Sequence, residues 1–226
     1  MPSLFADLVP LIIGSALGPG QIIFDTLLLQ SPDRGVLKAG SFVGGMSVVR
    51  LIQGIVFGFV LTATIGSAHD NSKPGTTVST LLLVLGIFLL ITAYRQWQNE
   101  DDPDGPPPKW LKMIDSVTPV KAFGIGFILV ATSANLWVFT LSAIAVIGEA
   151  QLNQLAGSIA FLLFMLLAET LVLLPILLRI IRPEQATKDL NAVSAWLIKH
   201  NQTLMSVISL VLGLYFLAKG IGRFLA

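Results

Sequence analysis

The sequence contains no cysteine and few charged residues. Of its 226 residues, 12% are Asp, Glu, Lys or Arg, whereas a soluble domain is typically about one-quarter charged. The lack of cysteine excludes disulfides, thiolate-ligated metals and a thiol relay for electrons. The formal net charge of +1 excludes the strongly basic surface that nucleic-acid binding requires. We therefore expect no nucleic-acid partner.

Apolar residues are in excess, at 54% of the chain, and the mean hydropathy is +0.81. A helix of about 20 apolar residues is long enough to cross a bilayer core of about 30 Å. Six runs of this kind are predicted to span a membrane, at about 4–29, 39–65, 77–94, 120–147, 155–181 and 204–224. The sequence therefore predicts one all-α integral membrane domain over 1–226.

Lys and Arg are distributed unequally along this six-span arrangement. Ten lie in the connections after the first, third and fifth spans, three lie on the other side and one lies inside a span, which accounts for all 14. The positive-inside rule places the ten in the cytoplasm. Both termini are then expected to face outward from a multi-pass protein of the plasma (inner) membrane.

The longest connection, 95–119, is polar and lies between the third and fourth spans. It separates a first repeat, about 4–94, from a second repeat, about 120–224. Three spans on each side predict two inverted three-helix repeats, because an odd number of spans makes the halves antiparallel. In an alignment of the first and fourth spans, Gly18 meets Ser133. An amphipathic stretch, about 187–199, is predicted to form an interfacial helix in the headgroup plane.

Gly18, Pro19 and Gly20 interrupt the first span. Proline removes a backbone donor and glycine adds backbone freedom, so this segment is predicted to kink or unwind the helix. A broken helix exposes carbonyls and amides that can bind a substrate or an ion, and the N-terminus of the second half-helix favours an anionic group. The alternative is a kink that serves packing alone.

Three ionisable residues, Asp25, Arg50 and Glu169, lie inside predicted spans. At a rise of about 1.5 Å per residue, Arg50 and Glu169 share a depth near the midplane, and Asp25 lies nearer the inner end. Charges at such depth are costly unless paired, which makes them functional candidates. Their sum is minus one, so a proton on Asp25 or Glu169, or a bound cation, would balance it. These two acids are the ion-coupling candidates; the alternative is a permanent Arg50–Glu169 pair that only holds the repeats together.

Further polar residues at similar positions complete the predicted substrate and gating site. The full set is Gly18, Pro19, Gly20, Gln21, Asp25, Arg50, Gln53, Ser133, Asn135 and Glu169. The spans contain no Ser-His-Asp or His-Glu-x-x-His constellation and no cluster of soft-metal ligands. We therefore expect no catalytic residue, no metal and no cofactor, and we expect that the chain is not an enzyme. Glycines spaced four apart, at 14 and 18, 40 and 44, and 54 and 58, permit close helix packing inside the monomer or in a dimer.

Several short motifs carry a family resemblance. They are Ala16-Leu17-Gly18-Pro19-Gly20, Leu27-Leu28-Leu29, Arg34-Gly35 and Phe42-Val43-Gly44-Gly45. Together with the span layout, they resemble the lysine-exporter (LysE) superfamily, and within it the GAP/Sap-type, glycolipid-addressing branch. The resemblance implies an exporter built on inverted three-span repeats. Members commonly carry Asn-Pro in the fourth span, whereas Asn135 here precedes Leu136, so the motif does not decide whether that span is broken.

These observations predict a secondary transporter or exporter, flippase-like and open to ion coupling. Its expected substrate is amphipathic, such as a cell-envelope glycolipid or another lipid. One alternative is an amino-acid or small-solute exporter, in which Arg50 or the half-helix N-terminus holds a carboxylate. Another is a non-transporting membrane scaffold for a lipid-synthesis or export complex. The expected partners are membrane lipids and the lipid or small amphipathic substrate, and a homodimer is an open alternative.

Overall fold

The computed structural model describes residues 2–67, 76–98 and 116–225. Within these ranges the chain forms nine helices and no strand. The helices are α1 (Pro2–Ala16), α2 (Pro19–Gln30), α3 (Gly35–Ser67), α4 (Thr76–Gln98), α5 (Pro119–Thr132), α6 (Ala134–Glu149), α7 (Gln154–Ala168), α8 (Thr170–Ile181) and α9 (Pro183–Leu225). Most of the predicted polar connection at 95–119 lies outside the described residues.

Two helices are long and apolar enough to cross a membrane on their own, through Gly35–Gly58 in α3 and Thr203–Gly222 in α9. Three bent pairs, α1 with α2, α5 with α6 and α7 with α8, pass the same test together and bend by 53°, 72° and 63°. The described part of the chain therefore has two clear apolar spans, and up to five when each bent pair is one span. α4 contributes a shorter apolar helix, Leu82–Gln98. The chain is an all-helical membrane protein, and the number six stays a prediction.

The first break follows from Pro19. In a continuous helix its nitrogen would donate to the carbonyl of Ser15, but proline has no N–H. α1 accordingly ends at Ala16, and α2 begins with Pro19 at its first position, which proline favours. Gly18 caps α2 with extended dihedrals, φ −68° and ψ 100°. The predicted interruption of the first span is thus a true helix break.

The second break lies at Ser133, where the Asn-Pro comparison left the outcome open. α5 ends at Thr132, and Ser133 caps α6 with φ −80° and ψ 102°. These angles nearly equal those of Gly18, the residue with which Ser133 aligns. A third break lies at Glu169, between α7 and α8, with φ −98° and ψ 1°. This break divides the predicted fifth span, about 155–181, in which the sequence analysis identified no interruption. The local signal for the break is Pro175, inside α8, because proline disturbs the turn before it.

Buried apolar side chains form two clusters, each of which receives one half of every broken span. The first cluster joins α1, α6 and α7 to α4 and α9. The second joins α2, α5 and α8 to α3, together with Leu136, which lies next to the second break. All three breaks therefore lie at the boundary between two apolar clusters.

α4 packs antiparallel along α9. A Cβ built on Gly86 would lie 2.7 Å from the backbone nitrogen of Leu217, so the two backbones nearly touch there. Nearer the other end, Ser206 donates its hydroxyl to the carbonyl of Ala93 at 3.2 Å. The predicted interfacial helix at 187–199 is not a separate element, because α9 is a single helix of 43 residues. Its place in the headgroup plane stays a prediction.

The first and last helices meet near the chain ends. Lys219 Nζ in α9 donates to Asp7 Oδ1 in α1 at 2.5 Å, and both side chains are only about one-fifth exposed. The start of α1 and the end of α9 therefore lie at the same end of the helix bundle.

Candidate functional site

A cavity of about 180 Å³ lies where the first and second helix breaks meet. It is lined by residues of both breaks and of α4 and α9. They are Gly14, Leu17, Gly18, Pro19, Gly20, Gln21, Leu89, Leu129, Ser133, Asn135, Leu136, Phe139, Met205, Ile208 and Ser209. Six of the ten predicted site residues thus share one cavity, namely Gly18, Pro19, Gly20, Gln21, Ser133 and Asn135.

Glycine brings the two broken spans close enough to share this cavity. A Cβ on Gly14 in α1 would lie 2.5 Å from Phe139 Cε1 in α6, closer than side chains pack. Gly54 in α3 meets the ring of Phe161 in the same way, at 2.3 Å. These members of the predicted glycine pairs therefore pack within the monomer.

Each of these two breaks frees a backbone carbonyl, and a side chain from the following helix binds it. Gln21 Nε2 donates to the carbonyl of Ser15 at 3.4 Å. Trp137 Nε1 donates to the carbonyl of Ala131 at 2.9 Å. Both bonds reach back six residues across a break. Because an unpaired buried carbonyl is costly, these side chains stabilise the broken state.

A buried charge pair lies beside the cavity wall. Arg50 Nε in α3 is 3.5 Å from Glu169 Oε1 at the third break, and the two side chains are 0% and 1% exposed. Ser47 Oγ lies 2.7 Å from Glu169 Oε2 and donates to it. Arg50 Nη1 donates to Ser15 Oγ at 2.9 Å. The common depth inferred for Arg50 and Glu169 thus corresponds to a direct contact.

The polar contacts form one continuous chain from the cavity to the charge pair. Gln21, on the cavity wall, is bonded to the backbone of Ser15, whose hydroxyl is bonded to Arg50, which in turn contacts Glu169. The chain runs through α2, α1 and α3 to the third break. A rearrangement of the first break therefore changes the surroundings of Arg50.

Two of the ten predicted site residues, Asp25 and Gln53, neither line the cavity nor join this chain. Asp25 is completely buried in α2, and neither of its carboxylate oxygens has a hydrogen-bond partner among the residues that the structure describes. Gln53 is buried in α3, and its amide likewise lacks a partner within the described ranges. The predicted trio of charges is therefore a pair plus a separate acid.

Sequence reasoning missed Ser15, Ser47 and Trp137. Ser15 has a signal in retrospect, since it lies four residues before Pro19 and must lose its helical partner. Trp137 has no such signal, because the alignment of Gly18 with Ser133 pairs Trp137 with Ile22 and pairs Gln21 with Leu136. Ser47 carries no such signal. Among the described residues, no group of three or more His, Asp or Glu is placed to hold a metal ion.

A comparison with models of known protein families identifies the family of this chain. The family model described as Sap, sulfolipid-1-addressing protein, matches residues 8–222. The chain belongs to this family. The match confirms the Sap-type branch that the sequence motifs indicated; membership in the wider lysine-exporter superfamily stays a prediction. No curated protein and no solved structure matches the chain.

The Sap family match begins inside α1 and ends inside α9. It therefore includes all three helix breaks, the cavity between the first two, and the Arg50–Glu169 pair. The candidate site lies within the part of the chain that the family model matches.

Proposed function

We propose that this Sap-family protein is a flippase-like secondary transporter that exports an amphipathic lipid across the plasma membrane, and that it is not an enzyme. The observation that carries the proposal is the cavity at which two helix breaks meet. Broken helices that expose backbone groups at a repeat interface are typical of substrate sites in secondary transporters. The family name, which refers to sulfolipid-1, supports a lipid substrate.

Two inverted repeats are part of the proposal. The matched caps at Gly18 and Ser133 support it, since they have nearly equal dihedrals. The two broken spans also contribute to the apolar clusters in opposite order: α1 and α6 pack in one cluster, α2 and α5 in the other. The first span therefore runs antiparallel to the fourth, as inverted repeats require.

The proposal also includes a topology of six spans with both termini outside. The Asp7–Lys219 contact supports an even number of crossings, because it joins the start of α1 to the end of α9. The bent pairs with α3 and α9 account for five crossings, and α4, antiparallel along α9, supplies the sixth. The cytoplasmic side is then the one that carries ten of the 14 Lys and Arg residues.

The size and lining of the cavity favour a particular way of holding a lipid. A volume of about 180 Å³ is below the roughly 300–1,000 Å³ of pockets that enclose a whole ligand. The wall is mainly apolar, with Gln21, Ser133, Asn135 and Ser209 as its polar members. We therefore infer that part of a polar headgroup enters the cavity and the acyl chains stay in the bilayer.

The position of Arg50 argues against the alternative that the protein exports amino acids. Its guanidinium contacts Glu169 and Ser15 and is not on the cavity wall, so it is not placed to hold a substrate carboxylate. That alternative then depends on the N-terminus of α2 alone. A membrane scaffold would need the polar contacts from Gln21 to Glu169 only for stability. A transport assay therefore distinguishes the scaffold hypothesis from both exporter hypotheses.

The test is a lipid-translocation assay in proteoliposomes. The probe is a fluorescent sulfated glycolipid, and a membrane-impermeant reductant reports the fraction in the outer leaflet. We expect faster translocation than in empty liposomes, and a loss of this effect in Ser209→Phe, which fills the cavity. Ser158→Phe, at an exposed position of α7, is the matched control and should keep the rate.

Three outcomes distinguish the candidates, provided that each variant is monodisperse and melts as the parent does. Translocation that depends on an open cavity supports the lipid exporter. Exchange of a radiolabelled amino acid without translocation of the lipid probe supports the amino-acid exporter. If a folded protein shows neither activity, the result contradicts transport and supports the membrane scaffold.

A further inference from the structure

We propose that Asp25 holds a proton in the described conformation, and that release of this proton is coupled to movement of α2 about the first helix break. The inference deepens the proposed transport function, on which its coupling half rests. It selects Asp25, rather than Glu169, from the two ion-coupling candidates. The coupling ion is then a proton.

Asp25 is isolated from other polar groups in the described part of the chain. Its side chain is 0% exposed, and both oxygens lack a partner within the described ranges. α2 packs against α3, α8 and α9, and none of the described charged side chains of these helices, nor Glu169 before α8, forms an ion pair or a hydrogen bond with an Asp25 oxygen. The side chains on the three helices are Lys38, Arg50, Arg179, Lys199, His200 and Lys219.

The described buried cations already have partners other than Asp25. Arg50 is the only described cation that is completely buried, and Glu169 already neutralises it. Lys38 is bonded to Ser31 Oγ, and Lys219 pairs with Asp7. A buried carboxylate without a partner is strongly unfavourable in a low-dielectric interior. Asp25 must therefore carry a proton or bind a cation.

The surroundings of Asp25 favour a proton over a metal cation. Hard cations need about six oxygen ligands, and no group of three or more acidic or His residues lies close together in the described part of the chain. One suitable acceptor is present on the same face of α2. Gln21, four residues before Asp25, has a buried Oε1 without a partner among described residues, and residues at this spacing are neighbours on a helix. A protonated Asp25 places a hydrogen-bond donor one helical turn from this oxygen.

The position of Gln21 gives the coupling route. Its Nε2 binds the carbonyl of Ser15 across the first break, and the Ser15 hydroxyl binds Arg50. When the Asp25 carboxyl gives its proton to water, the carboxylate that remains requires hydration. Water reaches it only when α2 moves away from α3, α8 and α9. The break at Gly18 is the hinge that permits this movement.

Infrared spectroscopy of the protein in liposomes tests the proton. At neutral pH, the wild-type spectrum minus the Asp25→Asn spectrum should show a carboxylic-acid carbonyl band. Asp7→Asn is the control and should remove only carboxylate bands, because Asp7 pairs with Lys219. Loss of a carboxylate band in Asp25→Asn, without a carbonyl band, would overturn the proposal. The proposal would also be overturned if the carboxylic-acid band disappeared when sodium replaced choline as the buffer cation, since that result indicates a cation site.

A second variant keeps the test decisive if Asp25→Asn does not fold. Asp25→Glu retains the acid and should shift the frequency of the band, and an unshifted spectrum contradicts the assignment. The infrared result needs no substrate. A missing band therefore refutes the proton without refuting transport, and the lipid-translocation assay can fail without affecting the band.

Cysteine modification tests the coupling to movement. Ser133→Cys places a single thiol on the cavity wall of this cysteine-free chain. We compare the rate at which this thiol is modified in a protein that keeps Asp25 and in one that carries Asp25→Asn. The pH dependence of the rate should differ between the two proteins. The ratio of the two rates removes the pH dependence of the thiol itself. A ratio that changes with pH supports the coupling, and a constant ratio in two folded proteins overturns it.

Discussion

Gln21 and Trp137 make equivalent hydrogen bonds across two different helix breaks. Each donates a side-chain N–H to the carbonyl six residues earlier, Gln21 to Ser15 and Trp137 to Ala131. The two residues differ in chemistry and share no local motif, yet they satisfy the same need. The matched bonds support our view that each break is a maintained feature of its span and that the two breaks form one site.

Removing the indole donor should cost stability. Trp137→Phe keeps an aromatic ring near Phe57, which now packs 5.7 Å from the Trp137 ring, but leaves the Ala131 carbonyl unpaired. We expect the free energy of unfolding to fall by about 1–3 kcal/mol. Trp97→Phe is the matched control, since Trp97 is 80% exposed. Denaturant unfolding in detergent measures both; equal effects would show that the bond across the break is unimportant.

The Arg50–Glu169 pair should be strongly coupled. Arg50→Met or Glu169→Leu alone strands a buried charge, and we expect each to lower the free energy of unfolding by about 3–5 kcal/mol. The double variant should recover much of this loss, because it removes both charges. The Asp7–Lys219 pair, whose side chains are about one-fifth exposed, is the comparison and should give a smaller coupling energy, because nearby water weakens the attraction between the two charges. Additive losses at Arg50 and Glu169 would contradict a direct interaction.

The sequence predicted where this site lies better than it predicted which side chains are in contact there. Pro19 fixes the first break because proline cannot donate, and the common depth of Arg50 and Glu169 follows from the helical rise. The Ser47–Glu169 bond could not be predicted, because it depends on how far each helix is rotated about its axis. Asp25 was included because it is an ionisable residue inside a predicted span, and the structure separates it from the charge pair.

The closeness of α1 and α6 should make Gly14 intolerant of a methyl group. Gly14→Ala forces a Cβ to within 2.5 Å of the Phe139 ring, and we expect a loss of about 1–3 kcal/mol from overpacking. Gly14→Ala with Phe139→Leu should recover part of this loss. Gly20→Ala is the control, because a Cβ there meets nothing within 4 Å. Thermal unfolding compares the three; an unaffected Gly14→Ala would mean that the broken spans pack less closely.

The topology predicts where new cysteines react in the cysteine-free chain. Single cysteines at Asp7 and Lys219 should react with a membrane-impermeant maleimide from outside, and one at the exposed Asp33 from the cytoplasm. A short bifunctional maleimide should join Asp7→Cys to Lys219→Cys within one chain, because these side chains are in contact. Labelling of Asp7→Cys and Lys219→Cys from opposite sides would contradict an even number of spans.

Closing the first break should stop transport without unfolding the protein. Pro19→Ala restores the N–H that a continuous helix donates to Ser15, and displaces Gln21 from that carbonyl. Gly20→Ala favours the helix by up to about 1 kcal/mol, the difference in helix propensity, and meets no neighbour within 4 Å. We expect this double variant to melt no lower than the parent and to lose lipid translocation, because the carbonyls and amides at the cavity become paired within the helix.

Gly40→Ala is the matched control for that variant. Gly40 is an exposed glycine in α3, and its added Cβ also meets nothing within 4 Å. It gains the same helix propensity but does not touch the break, so translocation should be unchanged. Full translocation by a folded Pro19→Ala, Gly20→Ala protein would reduce the break to a packing kink. Transport would then have to depend on the buried charges, and the Arg50–Glu169 variants would become the decisive ones.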